Sequence, residues 1–306
     1  MPELPEVEAL VQDLRRRLTD RAIVRVDIAA FSALKTYDPP LSALNGTLVE
    51  DVQRHGKFLD ITTSGLHLVI HLARAGWIRW KDEVPKLPPR PSTKSPLAAR
   101  VVLDPSTLRQ AQDGAGSGQA TYSGLDITEA GTKKSLAIYL VRDPRDVPGI
   151  ERLGPDPLDD AFTIDVLDQI LRDAGRAQIK GVLRQQSIIA GIGNAYSDEL
   201  LHAAKMSPFK PALSVVEAPE ELQTLYAAIR QTLGDAVKRS EGLAASELKG
   251  EKKSHLAVHG RTGEKCPVCG DVVREVSFAD SSLQYCATCQ TGGKPLADRR
   301  TSKFLK

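Results

Sequence analysis

Hydrophobic residues in the first half of the chain mostly alternate with polar ones, which predicts a domain built from β-strands. The strand-like segments are residues 23–28, 47–61, 66–80, 100–103 and 135–141. Residues 5–19 are the exception, because their apolar side chains repeat at helical spacing. These side chains are Val7, Leu10, Val11, Leu14 and Leu18. We therefore expect an N-terminal β-sandwich with one flanking helix, over residues 1–153.

The second half of the chain shows the 3.6-residue spacing of amphipathic helices. Helices are predicted at residues 162–174, 179–190, 194–205 and 217–240. The change of pattern near Gly154-Pro155 places a helical domain at residues 154–258. A small cysteine-containing module at residues 259–291 and a basic tail at residues 292–306 follow it. The whole pattern predicts an α+β protein of two domains.

A stretch rich in glycine and polar residues interrupts the β-rich half at residues 105–124, with Gln-Asp-Gly-Ala-Gly-Ser-Gly at its centre. Such a composition cannot bury enough apolar surface to order itself. We predict a disordered surface insertion here.

Length and composition exclude few classes of protein. A chain of 306 residues can hold two domains. Its formal charge of +2 is compatible with a nucleic-acid partner but does not indicate one. No apolar run reaches the eighteen or so residues that cross a bilayer, and the N-terminus is acidic. These features predict a soluble cytoplasmic protein with no membrane partner.

All four cysteines lie in one cluster near the C-terminus. Cys266 and Cys269 form one CxxC pair, and Cys286 and Cys289 form a second, with sixteen residues between the two pairs. Four thiolates at these spacings close a tetrahedral structural zinc site. A redox pair is the weaker alternative, because both halves of a metal site are present.

The first eight residues, Met-Pro-Glu-Leu-Pro-Glu-Val-Glu, combine a potential nucleophile with acids. Removal of Met1 would leave Pro2 as a secondary amine, and an α-amino group titrates at about 7.7–8.0. Such an amine can attack a carbon at the oxidation level of a carbonyl and form an iminium, while Glu3 and Glu6 supply carboxyl groups beside it. The simpler alternative is a helix start whose acids suit the helix dipole.

Two glycines and an asparagine, Gly191-Ile-Gly193-Asn194, separate two predicted helices. Asn194 is a candidate N-cap, and the exposed N–H groups of a helix start suit a phosphate. An ordinary helix turn is the alternative explanation for these four residues taken alone.

The N-terminal octapeptide, the segment at residues 179–199 and the cysteine module with its preceding His259-Gly-Arg-Thr-Gly together resemble the formamidopyrimidine-DNA glycosylase (Fpg/Nei) family. The resemblance implies a helix-two-turn-helix domain and a zinc-finger hairpin. It also implies a monomeric, nucleoid-associated DNA glycosylase and AP lyase that acts on damaged double-stranded DNA in base excision repair. Its substrates would be oxidised bases, either of the formamidopyrimidine/8-oxoguanine type or oxidised pyrimidines.

The same resemblance assigns roles to individual residues. Pro2 would form a Schiff base with the sugar and start β-elimination. Glu3 would protonate the sugar oxygen or the leaving group, and Glu6 would support the site. Lys57 would assist catalysis and contact phosphate. The expected DNA contacts are Lys57, His71, Arg74, Arg145, Arg176, Lys180 and Asn194.

Three positions depart from the family pattern. Arg74 stands where a methionine normally fills the gap left by the extruded base, and Val147 stands in place of an intercalating phenylalanine. Ser281 falls where the hairpin normally carries an arginine, which predicts a weaker grip on DNA and poor δ-elimination. In addition, residues 242–253 are short and charged where 8-oxoguanine enzymes carry a longer loop that covers the lesion.

These departures keep two other interpretations open. One is a catalytically weak or inactive binder of damaged or abasic DNA. The other is a generic zinc-ribbon protein that binds nucleic acid, although it leaves the N-terminal motif unexplained.

Overall fold

The computed structural model describes residues 1–90, 95–105, 121–131, 133–278 and 281–297. The chain forms two compact units. The first comprises Met1–Pro2, Glu6–Glu151 and Glu241–Leu248, and the second comprises Glu3–Pro5, Arg152–Ser240 and Lys249–Lys306. The boundary after Glu151 lies two residues from the predicted one. Glu3–Pro5 and Glu241–Leu248, however, each pack with the unit opposite to the one predicted.

The first unit contains two four-stranded antiparallel sheets, in the orders β1-β6-β7-β5 and β2-β3-β4-β8. The strands are β1 (Ile23–Ile28), β2 (Val49–His55), β3 (Phe58–Thr63), β4 (Leu66–His71), β5 (Gly76–Lys81), β6 (Leu97–Leu103), β7 (Ser123–Glu129) and β8 (Ala137–Val141). The helix α1 (Leu4–Leu18) precedes them. Its predicted apolar face is buried in the same core as the sheets, since Val7, Leu10 and Leu18 have no exposed surface.

Two of the predicted strands are each two strands joined by a tight turn. Residues 47–61 break at Gly56-Lys57, where Gly56 takes a φ of +56° that favours glycine. Residues 66–80 break at residues 72–75. Lys57 and Arg74 therefore lie in turns and not within strands.

The predicted insertion at residues 105–124 extends too far. Ser123 and Gly124 belong to β7, which pairs with β5 and β6 and which the sequence pattern did not predict. Residues 106–120 of the insertion and residues 298–306 of the predicted basic tail lie outside the described residues.

The second unit is mostly helical. Its helices are α3 (Ile164–Ala174), α4 (Ile179–Arg184), α5 (Asn194–Ala203), α6 (Ala212–Val216), α7 (Pro219–Ser240) and α9 (Ala287–Thr291). A short helix, α2 (Pro148–Glu151), belongs to the first unit. The first residue of α8 (Leu248–His255) also belongs to the first unit, and its other residues belong to the second. The predicted helix at residues 179–190 ends at Arg184, and the hairpin of β9 (Val273–Ser277) and β10 (Ser282–Cys286) carries the cysteines.

The α+β prediction is confirmed by this mixture of antiparallel sheets and helices. Among the described residues, no helix combines the length and apolar content needed to cross a membrane.

A buried ion pair between two neighbouring strands should be important for the stability of the first unit. Arg100 on β6 makes a bidentate contact with Asp126 on β7 through one edge of its guanidinium, Nε to Oδ1 at 2.6 Å and Nη2 to Oδ2 at 2.9 Å. Removing one partner of a buried pair leaves the other charge uncompensated. We predict that Asp126→Asn lowers the free energy of unfolding by about 3 kcal/mol in denaturant titrations.

The matched control is Asp168→Asn, which breaks an exposed pair with Arg172 on α3. It should cost less than about 1 kcal/mol. Equal effects of the two substitutions would show that the Arg100–Asp126 pair is not structurally important.

Candidate active site and zinc module

The carboxylate of Glu3 caps the start of α5. It accepts hydrogen bonds from the backbone N–H groups of Gly193 (2.7 Å), Ala195 (2.9 Å) and Tyr196 (3.1 Å). Only 2% of Glu3 is exposed. Because these N–H groups lie at the positive end of a helix, they stabilise a carboxylate anion. The start of α5 is thus capped by a residue about 190 positions earlier in the chain. Asn194, the predicted N-cap, is instead the first residue of α5, so that prediction is wrong.

The two glycines before α5 make room for the N-terminal segment. A Cβ atom on Gly193 would lie 2.4 Å from Cδ of Glu3, and one on Gly191 would lie 2.7 Å from Cβ of Leu4. Gly191 also has a φ of +84°, and its carbonyl accepts the N–H of Leu4 at 3.0 Å. Gly191 and Gly193 therefore allow Glu3 and Leu4 to lie close to the backbone before α5. This role could not be predicted from the sequence.

Lys180 is buried in an ion pair and does not point into solvent. Its Nζ lies 2.6 Å from Oδ1 of Asp198, 2.6 Å from Oγ of Ser197 and 3.2 Å from the carbonyl oxygen of Asn194. Burial lowers the pKa of Lys180, while the charge of Asp198 opposes this effect. With three acceptors for three N–H donors, Lys180 holds the turn before α5, and a phosphate contact would require breaking one of these bonds.

Asn194 is also engaged within the second unit. Its Nδ2 donates to the carbonyl of Ser282 at the start of β10, at 2.7 Å. Its Oδ1 is buried and has no partner among the described residues. The predicted phosphate contacts of Lys180 and Asn194 remain predictions, and the observed partners do not favour them.

Two acids that follow Asn194, which the sequence pattern did not predict as functional, connect α5 to the cysteine module. Oδ2 of Asp198 lies 2.7 Å from Nδ1 of His259. Glu199 accepts the N–H groups of Ala257, Val258 and His259 at 2.7 to 3.0 Å. Burial is the main effect on the pKa of Glu199 and raises it. Nothing in the local pattern distinguishes these acids from the exposed face of an ordinary helix.

Lys57 and His71 lie close together in the first unit. Lys57 is only 8% exposed, so its side chain is largely buried in the turn between β2 and β3. Burial, and to a lesser extent the charge of Lys57, lowers the pKa of His71 to about 4. His71 is therefore neutral near pH 7, and its ring lies 4.6 Å from that of Phe58. Glu6, at 2% exposure, is buried in this unit as well.

Arg74 extends from a constrained turn between β4 and β5. The N–H of Gly76 donates to the carbonyl of Leu72 at 2.8 Å, and Ala73 adopts a left-handed φ of +50°. A Cβ atom on Gly76 would lie 2.1 Å from that same carbonyl oxygen, so the position requires glycine. Arg74 is exposed, and no described residue forms a hydrogen bond or ion pair with it.

Arg145 is bound by its neighbour Asp143. Both carboxylate oxygens of Asp143 lie 3.0 Å from Nε of Arg145, and this contact lowers the pKa of Asp143 to about 2. Val147 is fully buried, and its correspondence to an intercalating phenylalanine stays a prediction. Arg176 is exposed after α3, as a DNA-contacting residue would have to be.

The four cysteines form a site that fits a zinc ion. One Sγ atom from each of Cys266, Cys269, Cys286 and Cys289 lies within 4.8 Å of all the others. Four thiolates are the donor set of a closed structural zinc site. Burial raises the pKa of the Cys286 thiol to about 11, so zinc binding must release protons.

A histidine on α5 supports this metal site. Nε2 of His202 lies 3.3 Å from Sγ of Cys266, and His202 is only 5% exposed. Burial lowers the pKa of His202, which favours the neutral imidazole that can donate one N–H to a thiolate. Ser281 lies at the end of the hairpin, where its carbonyl accepts the N–H of Phe278 at 2.8 Å.

Three family models match successive parts of the chain. The formamidopyrimidine-DNA glycosylase N-terminal domain matches residues 1–113, and the H2TH domain of the same enzymes matches residues 153–247. The zinc finger found in FPG and IleRS matches residues 263–292.

Individual relatives agree with these models. The formamidopyrimidine-DNA glycosylase of Symbiobacterium thermophilum is 33% identical over 314 residues, which cover 98% of this chain and 93% of the relative. An uncharacterized formamidopyrimidine-DNA glycosylase-like protein of Mycobacterium tuberculosis is 57% identical over 159 residues, or 52% of this chain and 98% of that protein. The crystal structure of the MutM (Fpg) protein from Thermus thermophilus has a TM-score of 0.74 at 30% identity and covers 96% of this chain and 100% of that chain.

The fold, the buried N-terminal acid and the four-cysteine site together define a zinc-finger DNA glycosylase. The chain belongs to the formamidopyrimidine-DNA glycosylase family. It is a base-excision-repair enzyme, a DNA N-glycosylase with the AP lyase activity typical of that family, and its cofactor is one structural zinc ion.

The approach of Glu3 to α5 can be tested at Gly193. Gly193→Ala should displace the Glu3 carboxylate from its three N–H donors, which should destabilise the second unit by about 2 kcal/mol and abolish base excision. Thermal unfolding and single-turnover excision would measure the two effects.

Gly181→Ala is the matched control, because a Cβ atom there meets nothing within 4 Å and the residue lies in α4. It should leave activity unchanged and stabilise the helix by up to about 1 kcal/mol. Wild-type stability and activity in Gly193→Ala would show that the observed Glu3 cap is not required.

Proposed function

We propose that this enzyme removes oxidised bases from double-stranded DNA through a Schiff base at Pro2 and then cleaves the strand by β-elimination. The observation that carries the proposal is the capped carboxylate of Glu3, which is bonded through one peptide unit to Pro2. Three hydrogen bonds fix the Glu3 carboxylate, and the nitrogen of the preceding Pro2 becomes a terminal amine once Met1 is removed. This arrangement is suited to acid–base chemistry at that amine. The substrates are formamidopyrimidine and 8-oxoguanine lesions or oxidised pyrimidines.

The first step joins enzyme and sugar. After removal of Met1, the Pro2 nitrogen attacks the anomeric carbon, and a C–N bond forms. The bond from that carbon to the damaged base breaks, and the base leaves with the electron pair and takes a proton from water. The amine loses its proton as the new bond forms. Glu3, held as an anion by its three N–H donors, accepts this proton and passes it to the ring oxygen of the sugar, so the ring opens to an iminium.

The second step breaks the DNA strand. The iminium acidifies the neighbouring sugar carbon, and loss of its proton expels the 3′ phosphate in a β-elimination. Hydrolysis of the iminium then regenerates the Pro2 amine. The buried Glu6 supports the site from α1.

Several cations are proposed to hold the DNA. Lys57 contacts the phosphate next to the lesion, and the neutral His71 beside it donates a hydrogen bond to the backbone. The exposed Arg74, Arg145 and Arg176 contact the duplex. Lys180 and Asn194 contribute mainly by fixing the turn before α5 and the start of β10, respectively. The enzyme acts as a monomer on chromosomal DNA.

A catalytically weak binder of damaged or abasic DNA is the second candidate. Ser281 at the hairpin tip carries no charge, and Val147 is fully buried, so two expected contacts with DNA are missing. This candidate predicts lesion binding without a covalent intermediate, whereas the enzyme must form one.

An N-terminal extension distinguishes the two candidates without changing any side chain. Residues placed before Pro2 convert its nitrogen into an amide, which is not a nucleophile. We predict that extended protein binds duplex DNA with an abasic site and cleaves none of it, and that proteolytic removal of the extension restores cleavage. Gel-based cleavage and binding assays on one duplex measure both properties. Equal cleavage by extended and trimmed protein would refute the role of Pro2.

A further inference from the structure

His55 is the last residue of β2, and a buried carboxylate on the next strand holds its ring. Nε2 of His55 lies 3.1 Å from Oδ2 of Asp60 on β3, and Asp60 has no exposed surface. The same Oδ2 lies 3.0 Å from Nδ1 of His67 on β4. A buried carboxylate is costly unless it is hydrogen-bonded, and here two imidazole rings supply the bonds. The direction of the His55 ring is therefore fixed.

The other nitrogen of this ring, Nδ1, is available to a ligand. The side chain of His55 is 25% exposed, and among the described residues none forms a hydrogen bond with Nδ1. Nε2 must carry a proton, because a bare nitrogen facing the carboxylate of Asp60 would place two acceptors together. A neutral imidazole has a single N–H, so Nδ1 becomes a donor only when the ring is an imidazolium.

The sheet places His55 in line with residues of the proposed DNA contact. Phe58 on β3 is directly opposite both His55 on β2 and His71 on β4, so the three side chains form one row on one face of the sheet. Neighbouring strands are about 4.8 Å apart, which separates His55 from His71 by about 10 Å. Lys57 lies in the turn that joins β2 to β3. A DNA backbone that contacts Lys57 and His71 therefore passes close to His55.

The charges around His55 decide what a phosphate would meet. Asp60 is the anion in direct contact with the ring, and His67 shares that carboxylate. Lys57 is a nearby cation, which disfavours a second positive charge until an anion is bound. The other charged groups of this region are in ion pairs: Arg54 with Glu8, Asp51 with Arg15, and Arg145 with Asp143.

We propose that His55 is a further contact for the DNA backbone, which binds a phosphate as the imidazolium. Nε2–H donates to Asp60 on one side of the ring, and Nδ1–H donates to a phosphate oxygen on the other. The second proton comes from solvent, so forming the contact takes up one proton. This inference rests on the proposed function, to which it adds a backbone contact that depends on pH.

Binding can be measured without cleavage on a duplex that carries a tetrahydrofuran analogue of an abasic site. The analogue lacks the hydroxyl on the anomeric carbon, so no Schiff base forms. We expect His55→Gln to lower the affinity for this duplex about tenfold at pH 6, as for loss of one charged hydrogen bond. At pH 8 the loss should be less than about threefold. At pH 6 the slope of log affinity against log salt should become shallower by about one.

Two further variants separate charge from structure. His55→Arg carries a permanent cation, so it should bind tightly at both pH values and lose most of the pH dependence. His67→Gln is the matched control, because it keeps a donor for Asp60 but lies opposite Thr62, away from the row of His55 and His71. It should retain wild-type affinity and pH dependence. Melting temperature and zinc content should match the wild type in all three variants.

The outcomes separate this inference from the proposed function. Equal losses of affinity at pH 6 and pH 8 in His55→Gln would overturn the inference, and so would wild-type binding by that variant. Loss of the pH dependence in His67→Gln instead would also overturn it. Binding that depends on His55 and pH as expected, by a protein that cannot cleave a true abasic site, would leave the inference standing and refute the proposed function.

Discussion

The candidate active site depends on one interaction, the acceptance of three backbone N–H groups by the carboxylate of Glu3. It fixes the acid at the start of α5, and it requires Gly191 and Gly193 because side chains there would collide with Leu4 and Glu3. The same helix carries Asp198, which pairs with Lys180, and His202, which contacts a zinc ligand. The helix α5 therefore contacts both the proposed acid and a residue of the zinc module.

Much of this arrangement could be predicted from the sequence where the signal is local. The spacing of the four cysteines predicted the zinc site, and the periodicity of α1 predicted the face that is buried. Contacts between distant residues could not be predicted. The capping of α5 by Glu3, the pairing of Lys180 with Asp198, and the bonds of Glu199 to residues 257–259 all depend on tertiary packing. The strand β7 was not predicted because it follows a polar stretch that is typical of a loop. The helix α8 was not predicted because most of its residues are charged or polar and only Leu248 is buried.

The positions that depart from the family pattern are ones expected to contact DNA. Pro2, Glu3 and the four cysteines match that pattern. Arg74 is an exposed guanidinium on a rigid turn, Arg145 is bound to Asp143, and Ser281 carries no charge. We expect Arg74 to influence selection of the opposite base, because a guanidinium offers hydrogen-bond donors to an unpaired base.

The central claim, covalent catalysis by the Pro2 amine, is tested most directly by borohydride trapping. The protein would be incubated with a duplex containing an abasic site, 8-oxoguanine or an oxidised pyrimidine, and the reduced adduct would be mapped by mass spectrometry of its peptides. We expect a stable adduct on the N-terminal peptide, at the Pro2 nitrogen, with at least the abasic duplex. Clear binding of all three duplexes with no adduct, or an adduct on a lysine, would contradict it.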